Sequence, residues 1–426
     1  MRLIIPIEFY RKGGVERVII ALISNLVKYT EKIIIILPGK DIAYFQNLLP
    51  ETESITYETF SWENNLYQAK LLGVFNKLFF LAKKLKLTPI EKIVTEKIQN
   101  LRVEARINYL VEKHQATHCL YVLINRLKPP RVKIPLSGIA YDLFWRFAPL
   151  TYPEAYMSKY EECLLMWLEK ADIIFTISQK TRTDILTVFP NPEFESKLKP
   201  IPLAGFPTNQ EITPQINKSK ITTFYYPSSF GIYKDHLTLL KAGLKLAEKN
   251  LKFKIVFLGR ETDSFISGKL QLSQQSKTQE YQKYLEECNQ VYQDNSSLIE
   301  KYFEGLGYCD YQQVEACYYN SDCVVVPSRY EGFGLAVSEA IVRGLPVIAS
   351  DLEVFKEQIK LYNCQDRVEF YPQGNVTALA ECLENFIANP KKKLTQEEIE
   401  KRFFHWQWKN VAQEYFNALN LIKPYD

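Results

Sequence analysis

The chain has 426 residues, of which 46% are hydrophobic and 24% charged, and its formal net charge is +4. This length is too great for one hydrophobic core and predicts about two domains, while the composition is that of a globular protein and excludes wholesale disorder. The mild charge does not indicate a dedicated nucleic-acid-binding protein, so we expect no nucleic acid among its partners.

Targeting and metal-binding signals are weak. The N-terminal residues lack the basic head, apolar stretch and cleavage site of a signal peptide. No segment approaches the roughly 18 apolar residues that span a bilayer, and we expect a cytoplasmic protein. The eight cysteines include no Cys-x2-Cys pair, and His114 and His118 lack the adjacent catalytic glutamate of a zinc motif. We therefore expect reduced thiols and no metal site.

Predicted strands and helices alternate along the first half of the chain. A helix opens near Gly13-Gly14 and runs through Lys28. Proline-rich residues 199–220 interrupt every periodicity, which is typical of a linker. The predicted strands are Met1 to Ile7, Lys32 to Leu37, Cys119 to Leu123, Ile134 to Ala140 and Asp172 to Ser178.

The alternation restarts beyond the linker. Residues 261–297 are polar and read as an insertion with helical spacing at 281–291. The pattern of residues 395–422 predicts one amphipathic helix. Its many aromatic side chains require that one face of the helix be buried. The further predicted elements are a strand at Ile221 to Tyr226, a helix at His236 to Glu248, and strands at Phe253 to Leu258 and Lys301 to Glu304. The sequence predicts a first domain of residues 1–205, a linker of residues 206–220, a second domain of residues 221–394 and a C-terminal helix within residues 395–426.

The most informative run is Pro327 to Ala340. It follows a β-branched stretch predicted as a buried parallel strand and leads into a helix that ends at Gly344. In such a unit the loop lies at the carboxyl edge of the sheet, where the first helical N–H groups have no intrahelical partner. Gly332 and Gly334 let the backbone approach a ligand closely, so a phosphate can sit near Gly334 and Leu335.

Two carboxylates flank this predicted phosphate cradle. Glu331 precedes it, and Glu339 follows it by about one helical turn. Carboxylates repel phosphate, but they accept hydrogen bonds from a vicinal diol such as that of a ribose or a sugar ring. The ligand implied carries a diphosphate between two polyol groups, which describes a nucleotide sugar.

Glu331-x7-Glu339 around Gly-Phe-Gly-Leu, followed by Gly-Leu-Pro-Val-Ile-Ala-Ser, resembles the signature of the retaining glycosyltransferases of family 4. The resemblance implies the GT-B fold, an α/β architecture of two doubly wound Rossmann-like domains that face a cleft. It also implies that the C-terminal helix crosses back to the first domain. The implied activity is hexosyl transfer from a nucleotide-sugar donor to a glycan or lipid-linked acceptor, without a cofactor.

The same resemblance implies roles for single residues. Lys234 is similar to the family lysine that contacts the donor phosphates, although Ser228 and Ser229 stand where many members carry an arginine. Tyr141-Asp142 replaces the family His-Asp, and a phenol still donates a hydrogen bond to a sugar hydroxyl. The predicted catalytic residues are Glu331, Lys234, Asp142 and Tyr141. The predicted donor-binding residues are Gly13, Gly14, Gly332, Phe333, Gly334, Leu335, Glu339 and Tyr308.

The expected mechanism is retaining and independent of metal. The chain contains no Asp-x-Asp, the usual diphosphate-metal ligand of the other major glycosyltransferase fold. Charge on the departing nucleotide would be met by Lys234 and the Gly334 loop. Two other interpretations stay open at this point: a catalytically weak sugar-nucleotide-binding partner of the same fold and, less favoured, a nucleotide-sugar epimerase.

Residues 66–92 carry apolar residues at helical spacing among lysines, which predicts a peripheral membrane contact. The alternative is a helix whose apolar face packs on its own domain and whose lysines are only solvated. We expect the protein to sediment with anionic vesicles but not with neutral ones, since each lysine near such a surface contributes about 1 kcal/mol at low salt. Changing three of the lysines to glutamate should abolish sedimentation; equal recovery in the supernatant with both vesicle types would contradict the expectation. The lysines are Lys70, Lys77, Lys83, Lys84, Lys86 and Lys92, of which Lys83, Lys84 and Lys86 are to be changed.

Overall fold

The computed structural model of the protein describes residues 1–10, 13–61, 88–148, 153–207, 221–271, 278–423 and 425, with only the backbone of residues 88–98. Two parallel sheets lie one after the other along the chain, each covered by helices. The predicted architecture of two doubly wound α/β domains is confirmed.

In the described residues, the first sheet has seven strands in the order β3-β2-β1-β4-β5-β6-β7, and all neighbouring strands are parallel. Its central strands are continuous runs of buried apolar residues, such as Ile33 to Leu37, because both faces are covered. The strand bounds are Arg2–Pro6, Lys32–Leu37, Ile55–Thr59, His118–Tyr121, Leu136–Ala140, Ile173–Thr176 and Leu198–Pro200 for β1 to β7.

Helices cover both faces of this sheet. One apolar cluster contains Val18 and Leu22 of the first helix, and the cluster on the opposite face contains Leu110 and Trp167. The helix bounds are Gly14–Leu26, Ile42–Leu48, Thr88–His114, Phe144–Phe147, Glu154–Lys170, Gln179–Val188 and Pro192–Lys197 for α1 to α7.

The second sheet has six parallel strands, among the described residues, in the order β10-β9-β8-β11-β12-β13. The strand bounds are Thr222–Pro227, Phe253–Leu258, Phe303–Gly305, Cys323–Val326, Val347–Ser350 and Val368–Tyr371 for β8 to β13. The helix bounds are His236–Glu248, Thr262–Ile266, Gln279–Tyr302, Tyr311–Asn320, Leu335–Ile341, Glu353–Tyr362, Val376–Ala388, Gln396–Phe403 and Trp408–Asn420 for α8 to α16.

The C-terminal segment corrects one prediction and confirms another. The single helix predicted over residues 395–422 is two helices, α15 and α16, and a new helix starts at Trp408, where the Gln407 N–H donates a hydrogen bond to the Asn410 side chain at 3.0 Å. Phe403 of α15 packs in the core of the second domain. Trp408 and Tyr415 of α16 pack in the core of the first domain, so the chain crosses back as predicted.

Other differences are local. The polar stretch predicted as an insertion holds α9 and α10, and α10 extends to Tyr302, so the strand expected from Lys301 starts at Phe303. Strand β7 lies at the start of the proline-rich segment that was interpreted as a linker. The boundaries at 205, 220 and 394 stay predictions, and residues 208–220 lie outside the described residues.

Most of the predicted membrane-contact segment, residues 66–87, also lies outside the described residues. Where the structure describes the chain, none of the helices combines the length and the apolar character that a membrane crossing requires.

Tyr415 tests the crossing of the C-terminal helix. Its ring is 1% exposed and, among the described residues, its hydroxyl has no hydrogen-bond partner. Tyr415→Ala should lower the free energy of unfolding by about 3 to 5 kcal/mol, because it empties a packed site. Tyr415→Phe should be neutral or slightly stabilising, because it removes an unpaired buried hydroxyl. Denaturant titration of both variants measures the difference, and an unchanged midpoint for Tyr415→Ala would contradict this packing.

Candidate active site

The loops at the carboxyl ends of the two sheets meet each other. The loop between β11 and α12, which carries the predicted signature, contacts the loops that follow β1, β5 and β6 of the first domain. A cleft between parallel sheets at this edge is where α/β proteins bind ligands. The predicted site residues are therefore brought together from both domains, with the exceptions described below.

The two sets of loops make a very close contact at Gly332. A Cβ atom on Gly332 would lie 2.1 Å from the carbonyl oxygen of Tyr141. The hydroxyl groups of Ser178 and Thr181 donate hydrogen bonds to the Gly332 carbonyl at 2.6 and 3.2 Å. Gly332 therefore allows the close approach of the first domain, and its predicted contact with the donor stays a prediction.

The aromatic residues of the signature also face the first domain. The hydroxyl of Tyr330 accepts a hydrogen bond from the Leu143 N–H at 2.9 Å and donates one to Asp184 at 3.0 Å. Phe333 is 3% exposed and packs in the apolar cluster of the first domain. Its side chain therefore helps to hold the two domains together, and its predicted contact with the donor stays a prediction.

The predicted phosphate cradle has the expected backbone form. Gly334 has a φ of +82° and caps α12, and a Cβ there would lie 2.4 Å from the ring of Phe355. The N–H groups of the first turn of α12 point out of the helix at its positive end. Gly14 approaches from the first domain, since a Cβ on it would lie 3.4 Å from Leu335 Cδ1. Gly13, with a φ of +116°, borders open space.

Lys234 and Glu331, both predicted to be catalytic, form an ion pair. Lys234 Nζ donates to Glu331 Oε1 at 2.6 Å, and the Ser328 hydroxyl donates to the same oxygen at 2.8 Å. Burial disfavours the charged lysine, but the charge of Glu331 and its hydrogen bond outweigh burial and raise the pKa of Lys234. A charged ammonium group is therefore held beside the Gly332 to Gly334 loop.

Glu339 is held from both domains. Its Oε1 pairs with Arg17 of α1 at 2.7 Å, and its Oε2 accepts a hydrogen bond from Tyr318 at 2.7 Å. Arg343 donates to the Glu339 backbone carbonyl at 3.1 Å and pairs with the buried Glu315. Sequence reasoning missed Arg17. Its only sequence signal is its place one turn after Gly13-Gly14.

Tyr141 and Asp142 are adjacent in the chain but lie in different surroundings. Tyr141 is 5% exposed in the first-domain core, where burial raises its pKa and its hydroxyl has no hydrogen-bond partner within the described part of the chain. The predicted hydrogen bond from this phenol to a donor sugar does not fit that position. Asp142 is only half-buried, and its Cβ lies beside Gly332, at the edge of the cleft.

Tyr308, a predicted wall for the donor base, is 71% exposed in the loop after β10. It lies across from Tyr44 of α2. Burial and then Glu16 raise the pKa of Tyr44, and Tyr308 adds to the rise. Its predicted contact with the base stays a prediction.

The two spaced histidines have separate partners. His114 hydrogen-bonds Glu58 at 2.7 Å, and His118 hydrogen-bonds the Ile422 carbonyl at 3.1 Å. Among the residues that the structure describes, no three His, Cys, Asp or Glu side chains form a group that would hold a metal ion.

One known family and one known relative match parts of the chain. Residues 208–402, which include Lys234, Glu331 and Glu339, match the family described as Glycosyl transferases group 1. An uncharacterized glycosyltransferase of Methanocaldococcus jannaschii is 23% identical over 272 residues, which are 62% of each chain. The chain thus aligns with less than two thirds of that relative's length.

Solved structures match over the whole chain. HepE of Anabaena in complex with UDP-glucose has a TM-score of 0.62 at 15% identity and covers 99% of this chain and 100% of its own. A glycosyltransferase from Rickettsia africae has a TM-score of 0.63 at 15% identity, with 99% and 98% covered. Sucrose-phosphate synthase from Thermosynechococcus elongatus has a TM-score of 0.62 at 15% identity, with 99% of both chains covered.

The matches over the whole chain show the GT-B fold. Residues 208–402 match the group 1 glycosyl transferases, as the signature around Glu331 and Glu339 predicted.

Gly332→Ala tests the contact between the domains. The added methyl group would overlap the Tyr141 carbonyl, so we expect a loss of about 1 to 3 kcal/mol in the free energy of unfolding, typical of overpacking, together with weaker transferase activity. Gly231→Ala is the matched control, because Gly231 is extended and the nearest atom to its added Cβ is 3.7 Å away. Equal unfolding midpoints for the two variants would contradict the close approach.

Proposed function

We propose that the chain is a retaining, metal-independent glycosyltransferase that moves a sugar from a nucleotide-sugar donor to a glycan or lipid-linked acceptor. The observation that carries this proposal is the Lys234–Glu331 ion pair of 2.6 Å, placed beside the glycine loop at the meeting point of the domains. It supplies a cation and a hydroxyl acceptor next to a helix start that favours anions.

The donor occupies the cleft with its diphosphate on the N–H groups near Gly334 and Leu335. The open space around Gly13 leaves room on the opposite side. Glu339 takes the ribose hydroxyls, and Glu331 takes hydroxyls of the transferred sugar. HepE, which shares the fold, is described in complex with UDP-glucose, and this supports UDP as the first nucleotide to test.

Lys234 acts on the leaving group. As the bond between the anomeric carbon and the phosphate oxygen breaks, the electron pair moves onto the diphosphate, whose growing charge the ammonium stabilises. The acceptor hydroxyl forms the new bond on the face that the diphosphate leaves, and its proton passes to a diphosphate oxygen. Retention of configuration follows from attack on that face.

The first domain binds the acceptor. Asp142, half-buried beside Gly332, is the acidic residue from that domain which sequence reasoning placed in the site. The enzyme works in the cytoplasm and reaches lipid-linked acceptors through a peripheral membrane contact of residues 66–92. The vesicle experiment above tests this last part separately.

Lys234→Ala tests the leaving-group role. We expect kcat to fall by about 100-fold, as when one preorganised donor is removed, with a smaller change in donor affinity because the diphosphate charge grows in the transition state. Lys249→Ala is the matched control, since Lys249 forms an exposed ion pair with Glu384 of 2.6 Å on the surface of the same domain. Initial rates of nucleotide release with a nucleotide sugar and an acceptor extract measure the effect.

EDTA should leave the rate of the unaltered enzyme nearly unchanged. A Lys234→Ala variant that keeps its activity and then responds steeply to Mg²⁺ would contradict the metal-independent scheme. Donor binding without any transfer or hydrolysis in the unaltered enzyme would favour the catalytically weak binding protein instead.

A further inference from the structure

Each glutamate of the signature pairs with a cation, and the two cations come from different domains. Glu331 pairs with Lys234 of the second domain, whereas Glu339 pairs with Arg17 of the first. Arg17 therefore brings a guanidinium group from the first domain to the cleft.

The guanidinium group of Arg17 is held in place by its surroundings. It lies 4.1 Å from the centroid of the Phe206 ring, and its side chain is 29% exposed. A planar guanidinium stacks on an aromatic face and still presents several N–H donors at its edge. Arg17 is thus oriented toward the second domain while remaining accessible to solvent in the cleft.

Arg17 is also close to the predicted diphosphate seat. Gly14 precedes it by three positions on α1, so the two lie on the same face of the helix, with side-chain positions about 5 to 6 Å apart. Gly14 faces Leu335, whose N–H belongs to the first turn of α12. An arginine side chain that reaches Glu339 therefore needs only a change of rotamer to reach an anion at the start of α12.

Access to the carboxylate of Glu339 is limited by its partners. One oxygen pairs with Arg17 and the other accepts from Tyr318; Glu339 is 4% and Tyr318 2% exposed, whereas the Arg17 side chain is 29% exposed. A ribose diol that approaches from solvent therefore meets Arg17 on the oxygen that it would bind. Release of Arg17 then leaves a guanidinium group without its carboxylate, next to a diphosphate.

We propose that Arg17 is a donor-binding residue that exchanges partners: it pairs with Glu339 in the empty enzyme and with the donor diphosphate once the ribose takes Glu339. This inference rests on the proposed function and deepens it. Because Arg17 belongs to the first domain, the diphosphate receives its second cation only when the domains are closed, so donor binding and domain closure are coupled through one side chain.

Calorimetric titration with UDP and with uridine tests the exchange. Arg17→Ala should weaken UDP binding by about 10- to 100-fold, the effect of losing a charge-assisted contact, and leave uridine binding unchanged or tighter because Glu339 is released. Arg17→Lys should restore part of the UDP affinity. Arg2→Ala is the matched control, because Arg2 forms a first-domain ion pair with Glu31 at 2.6 Å.

A second background separates direct contact from the loss of a partner for Glu339. In Glu339→Gln the carboxylate charge is gone, so any effect of Arg17→Ala that came only from an uncompensated Glu339 disappears. We expect the Arg17→Ala/Glu339→Gln double variant to bind UDP more weakly than the Glu339→Gln single variant does, with no such difference for uridine. Thermal unfolding of every variant checks that the fold is retained.

Three results would overturn the proposal. Equal losses for UDP and uridine would assign Arg17 a structural role only. Tighter UDP binding in Arg17→Ala would mean that Arg17 merely occupies the donor site. If the unaltered enzyme binds none of UDP, GDP and ADP, the proposed function fails together with this inference; if it prefers another base, that nucleotide and its nucleoside replace UDP and uridine.

Discussion

The cleft depends on one backbone contact, between the carbonyl of Tyr141 in the first domain and Gly332 in the second. Only a residue without a Cβ fits there, and the hydroxyl groups of Ser178 and Thr181 close on the same peptide. This contact positions the glycine loop, and with it Glu331 and the start of α12. Every distance across the site follows from how closely the two sheet edges approach at this point.

The carboxylates of the site are balanced by cations of the protein itself. Removing an ion from water is costly, and a buried carboxylate without a partner would shift its pKa or destabilise the fold. Lys234 and Arg17 meet this requirement for Glu331 and Glu339, one from each domain. The same pairs suit transfer chemistry, because a cation already oriented by a carboxylate needs little rearrangement when charge develops on a leaving group.

Several signature residues lie where the sequence predicted but have other partners. Gly332 and Phe333 were interpreted as donor contacts, and the structure shows that both contact the first domain. Tyr141 was expected to reach a sugar, and its ring lies in the core. A motif indicates which backbone form is required. It does not indicate whether the close neighbour is a ligand or another part of the same chain.

The sequence by itself determined the features that depend on residues near one another in the chain. These are the alternating strands and helices, the two domains and the glycine loop before α12, since periodicity and glycine positions act locally. Only the tertiary structure decided that the C-terminal segment breaks into two helices that serve different domains. It also decided that Arg17 pairs with Glu339, because these residues are 322 positions apart and meet only when the two sheet edges close on each other.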